Sequence, residues 1–69
     1  MTTLSKINKR LKREKIDAEI LSDKGKLYFA GPAVVNWELP YIDVNINIKN
    51  LTTEQGFMLF FEVMHRNSF

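Results

Sequence analysis

The chain has 69 residues, a net charge of +2 and no cysteine, which describes one small domain, residues 1–69, with no disulfide or cysteine-based zinc site to hold it together. Its longest unbroken apolar run, Phe57-Met58-Leu59-Phe60-Phe61, is far short of the roughly 20 residues of a membrane-spanning helix, and its basic start lacks the apolar stretch of a secretory signal. A cytoplasmic protein is expected, and because so short a chain buries only about 60% of its unfolded surface, a second copy or a partner is the expected further source of burial.

Charge is unevenly placed. Lys6, Lys9, Arg10, Lys12, Arg13 and Lys15 stand against Glu14 alone in the first fifteen residues, while four basic residues face seven acidic ones from Ile16 onward. Leu4, Ile7 and Leu11 recur at helical spacing and predict an amphipathic first helix ending near Lys15, with Thr2 or Thr3 as its cap. At about 100° per residue, Lys6, Lys9 and Arg13 project opposite the apolar stripe, flanked by Arg10, Lys12 and Lys15.

Residues 18–30 predict a β-hairpin: Ala18-Glu19-Ile20-Leu21 and Lys26-Leu27-Tyr28-Phe29-Ala30 flank Ser22-Asp23-Lys24-Gly25. Asp23 and Lys24 suit a type I turn with Gly25 in a following bulge. Gly31-Pro32 ends the second strand, and 31–40, holding Trp37, reads as a loop. Ile42, Val44, Ile46 and Ile48 then alternate with Asp43, Asn45, Asn47 and Lys49, the pattern of a third strand with one wet face.

Thr52 and Gln55 have the spacing of a capping box. They open a second helix with Phe57, Phe60, Phe61 and Met64 directed at the sheet, although Gly56 and the aromatic run leave a further strand open. The resulting α-β-β-β-α order is an α+β fold, a three-stranded antiparallel sheet with helices on one face. The apolar residues of 56–64 cover about 200° of arc, more than the roughly 100° a core requires. Leu59, Val63 and the backbone at Gly56 are left beside the inner face, with Met58 among Glu54, Glu62 and His65. Three covers compete for that flank: loop 31–40 with Val34, Val35, Trp37 and Leu39, a second copy, or another protein.

Ala18-Glu19-Ile20, Gly25, Tyr28-Phe29 and Gly31, then Trp37 and Leu51-Thr52-Thr53-Glu54-Gln55, together resemble small prophage-encoded proteins in which a basic helix precedes such a hairpin and a closing helix opens with a similar cap. Gly56 departs from the pattern, where a tryptophan often follows the glutamine. The resemblance implies a phage or prophage origin, a host-cell setting and the α-β-β-β-α order. It implies no activity.

The inventory for catalysis is poor. His65 has only Glu62 on its own helix for company, and a solvated histidine at a helix end explains it. Asp17, Asp23 and Asp43 suit local backbone hydrogen bonds. A non-enzymatic protein without metal, cofactor or small-molecule substrate is expected. Its leading reading is a protein-interaction module, with a homodimer as one form of the contact, using Trp37, Leu39, Met58, Leu59 and Val63. The alternative is nucleic-acid binding through Lys6, Lys9, Arg10, Lys12 and Arg13; with Lys15 included, six cations that each neutralise one phosphate give a log–log salt slope of up to about −5. Asn8 is the one base-reading side chain beside those cations, and Tyr28 with Tyr41 or Trp37 offers aromatic stacking for single strands. The plain reading of the basic face is solvation.

Overall fold

Helix α1, Leu4–Arg13, begins where Thr3 adopts an extended backbone and its Oγ1 accepts the Lys6 N–H at 3.3 Å. The computed structural model describes residues 3–68, so Thr2, the other candidate cap, lies outside the described residues. α1 closes with the Lys15 N–H donating to Lys12 O and the Ile16 N–H to Leu11 O, a Schellman closure in which Lys15 takes φ +61°, a conformation more often given to glycine.

Strands β1 (Glu19–Asp23) and β2 (Lys26–Ala30) pair antiparallel, with Asp23 opposite Lys26, Ile20 opposite Phe29 and Leu21 opposite Tyr28. The connection is tighter than the predicted turn and bulge. Lys24 and Gly25 both have positive φ, +51° and +80°, the mark of a two-residue type I′ turn, whose twist matches that of the strands. Gly31 follows β2 at φ +125°, and a Cβ there would stand 2.7 Å from Asp17 O. Both the dihedral and the close backbone approach exclude a side chain. A short 3₁₀ turn at Pro32–Val34 then starts the loop.

The predicted third strand is corrected: among the described residues the sheet has two strands. A single bridge joins Tyr41 to Tyr28, through the Phe29 N–H to Pro40 O and the Ile42 N–H to Leu27 O. The chain then leaves the sheet because its polar alternate residues bond their own backbone. Asp43 Oδ1 accepts the Asn45 N–H at 2.9 Å, and Asn47 Oδ1 accepts the Lys49 N–H at 3.0 Å. Such local bonds replace the ladder; Ile46 N–H turns back to Asp43 O and a 3₁₀ turn forms at Ile48–Asn50. Ile42 and Ile48 are buried, whereas Val44 at the turn is 78% exposed.

Helix α2, Thr53–Arg66, carries the full capping box, Thr52 and Gln55 each accepting the other's backbone N–H. The further-strand alternative for this segment is thereby excluded. α1 packs on both β1 and α2. Ile7, Leu11, Ile20, Phe29, Ile42, Phe57, Leu59, Phe60 and Val63 are among the residues of one buried core between the hairpin and the two helices.

α2 sits about a quarter turn from its predicted orientation. Gly56, Leu59 and Val63 face inward with Phe57 and Phe60, while Phe61 and Met64 lie at the exposed edge. Gly56 explains the rotation. A Cβ there would strike the Ile7 side chain, with Cγ1 at 2.7 Å, so the missing side chain is the notch into which α1 descends. The expectation that Leu59, Val63 and the Gly56 backbone lie uncovered is therefore corrected.

Candidate functional site

Two surfaces hold the residues that the sequence singles out. On α1, Lys6, Lys9, Lys12 and Arg13 are exposed, and Lys15 follows them into solvent. Lys9, Lys12, Arg13 and Lys15 make no ion pair with a described residue, in contrast to Arg10. Arg10 leaves the predicted cationic face. Its Nη1 meets Glu54 Oε2 at 2.7 Å and its Cζ lies 4.6 Å over the Phe57 ring, so it bridges α1 to α2. The guanidinium stacks on the negative π-face while its edge reaches the carboxylate, and Arg10 Nε is buried without a hydrogen-bond partner among the described residues.

Asn8 is likewise spent internally. Its Oδ1 accepts the Ile20 N–H at 2.7 Å and its Nδ2 donates to Ile20 O at 3.1 Å. Ile20 forms a non-hydrogen-bonded pair with Phe29 within the hairpin, so its polar groups point to the open edge of β1. The amide of Asn8 occupies that edge as a strand would, and fixes α1 against the sheet. Below it an open groove of about 620 Å³ has Lys9 and Lys12 on one wall and Asp17 and Glu19 on the other. Anions thus meet opposed charge on this side of α1, and the approach away from those carboxylates is over Lys9 and Arg13.

The residues expected to form a protein contact are not brought together as one exposed patch. Leu59 and Val63 are buried, at 6% and 1% exposure. Trp37 is half-buried, its ring 5.2 Å from that of Phe60 and 5.9 Å from that of Phe29. Loop 31–40 thus adds Trp37 to the core beside Phe60 and Phe29. Leu39 is exposed, with its backbone tied to α2 at both polar groups: Asn67 Oδ1 accepts its N–H at 2.9 Å and Asn67 Nδ2 donates to its carbonyl at 3.0 Å. Met58 is exposed among Glu54, Glu62 and His65. Phe61 and Met64, placed inward by the sequence reading, are more than a third exposed.

His65 is exposed in the last turn of α2, three residues beyond Glu62. Asp43 serves the Asx turn already described, and Asp17 receives the Ala33 N–H at its backbone oxygen. No helix among the described residues is long and apolar enough to cross a membrane.

How Tyr28 and Tyr41 meet is not written in the local sequence pattern. Their bridge sets them side by side on the outer face of the hairpin, with ring centroids 6.1 Å apart. The one advance signal was Tyr41 at the head of the alternating segment, in register to continue the sheet. Comparisons with family models, with curated proteins and with solved structures find no match to this chain.

Proposed function

We propose that the protein is a non-enzymatic accessory protein of phage or prophage type that binds nucleic acid through the exposed face of α1. The observation that carries this reading is a contrast between the two helices. Folding consumes Leu59 and Val63, the centre of the expected protein-docking surface, yet leaves Lys6, Lys9, Lys12 and Arg13 outward on a helix anchored by Asn8 and by the Ile7–Gly56 contact. A rigid row of cations tracks a phosphate backbone without ordering cost at the moment of contact. Base reading by Asn8 is not part of the proposal, since its amide is engaged with Ile20. Four phosphate contacts give a log–log salt slope of about −3 to −4 on duplex DNA.

Fluorescence anisotropy with a labelled duplex across a salt series tests the reading. The expected result is binding at low salt that the pair Lys9→Glu and Arg13→Glu weakens by about tenfold or more. A protein that ignores the duplex at low salt would sink it.

A second reading, contact with another protein or with a second copy, is favoured by the exposed edge of Phe61 and Met64, with Met58 and Leu39 also in solvent. Docking there buries apolar surface that this small fold leaves wet. Sedimentation before and after Met58→Glu and Met64→Glu checks it: a complex that dissociates supports the contact, and a monomer with unchanged size in both proteins argues against a homodimer.

A further inference from the structure

The outer face of the hairpin carries a different constellation from α1. Leu21, Tyr28 and Tyr41 form a row across it, because Leu21 opposes Tyr28 in the hairpin and Tyr28 bridges Tyr41. The tyrosine pair is of the non-hydrogen-bonded kind, in which side chains approach most closely. The rings are tilted by 54°, and Tyr41 is half exposed. Beside them an open recess of about 420 Å³ is lined by Asp23, Lys24, Lys26, Tyr28 and Tyr41. Arg66 reaches the same segment from α2, its Nη1 donating to Tyr41 O at 3.1 Å.

Lys24 adds an independent oddity. It occupies the first central position of the type I′ turn at φ +51°, where asparagine, aspartate or glycine fits with less strain. The turn therefore gives up stability at a position whose side chain stands at the rim of the aromatic recess. The core-facing side of the sheet is covered by helices, but Tyr41 is half exposed and Tyr28 only partly buried beside it, an opening that a small domain short of burial does not need for its fold.

We infer that this face binds single-stranded nucleic acid, with a base stacked on Tyr41, a neighbouring base against Tyr28, and the intervening phosphate held by Lys24, since Lys26 faces Asp23 across the hairpin. Sheet-borne aromatics flanked by lysines are suited to this ligand because every base offers a π-face and every linkage a negative charge. A duplex keeps its bases stacked inside and cannot use the rings. The site lies on a face separate from the α1 cations and does not depend on them.

The test measures anisotropy with a labelled oligothymidylate and with an abasic phosphodiester strand of equal length, using the wild-type chain and the Lys9→Glu, Arg13→Glu variant. The expected result is tighter binding of the oligothymidylate in both proteins, since the α1 changes remove charge but no stacking. Tyr41→Ala is expected to weaken the oligothymidylate about five- to a hundredfold and to leave the abasic strand unchanged. Tyr28→Phe and Tyr41→Phe retain a ring and are expected to keep wild-type affinity, which separates stacking from misfolding. Lys24→Asn is expected to raise the melting temperature and yet to weaken the strand about threefold at low salt, opposite signs that a purely structural lysine would not give. Equal affinity for the base-bearing and abasic strands, or Tyr41→Ala protein that is folded and binds normally, overturns the inference. Loss of duplex binding alone in the α1 variant bears on the proposed function and leaves this site standing.

Discussion

Two asparagines hold this fold together by imitating peptide groups. Asn8 satisfies both polar groups of Ile20, and Asn67 does the same for Leu39 while its Nδ2 also donates to Val63 O at 2.8 Å. Each closes a backbone edge that has no strand beside it, and an unmet edge group costs more than a formed bond gains. Asn8→Ala is accordingly expected to lower stability by about 2 kcal/mol, measured as a shift in the urea midpoint with an unchanged slope. A smaller effect than about 0.5 kcal/mol would mean that water replaces the amide at that edge without penalty. Neither asparagine was legible in the sequence as an edge partner. Asn8 sits beside the apolar stripe among lysines, and the residue it serves lies twelve positions on. Thr3, Thr52 and Gln55 were legible, because a cap acts on its own next turn and its spacing is therefore written locally.

At the scale of elements, the two helices and the hairpin form where the local signals place them, and the errors lie in segments whose local signals compete. Residues 42–49 alternate as a strand does, but Asp43 and Asn47 draw the backbone into turns after one bridge to β2. Periodicity records which residues seek the core. It does not record whether their polar neighbours prefer the backbone to a ladder. In α2 the helix was right and its facing was not, because Gly56 looked like a gap in the apolar surface and is the point of closest approach to Ile7. Gly56→Ala is expected to destabilise by about 1 kcal/mol, overpacking outweighing the gain of roughly 1 kcal/mol in helix propensity. In an Ile7→Val background, which removes Cδ1, the cost is expected to shrink by at least about 0.5 kcal/mol. A double-mutant cycle in denaturant checks this, and strict additivity would remove Ile7 from the notch.

For the molecule as a whole, stability is narrow. A chain of this length is held by about 3–10 kcal/mol, so the position of a single charge on α2 decides whether it folds. Leu59→Glu puts a carboxylate into the core and is expected to unfold the domain, whereas Met58→Lys, one residue earlier, exposed and between Glu54 and Glu62, is expected to change stability by less than about 0.5 kcal/mol. Circular dichroism on heating distinguishes the two. The contrast also bears on function: a loss of partner binding in Leu59→Glu protein would report a lost fold, and only the Met58, Phe61 and Met64 edge tests a protein contact. The uneven charge survives folding for most of its members, since Lys6, Lys9, Lys12 and Arg13 remain outside while Arg10 is drawn between the helices.

By itself the sequence determined the two helices, their caps, the hairpin and the cationic side of α1, all features set by residues within a few positions of one another. Only the tertiary structure decided that the third strand is reduced to a bridge, that α2 turns Leu59 and Val63 inward, that Arg10 and Asn8 are engaged inside, and that Tyr28 and Tyr41 stand together. Those outcomes depend on which surfaces meet across the chain. A single absent side chain, at Gly56, chose the meeting of the helices, and helical spacing carries no record of the partner that fills such a notch.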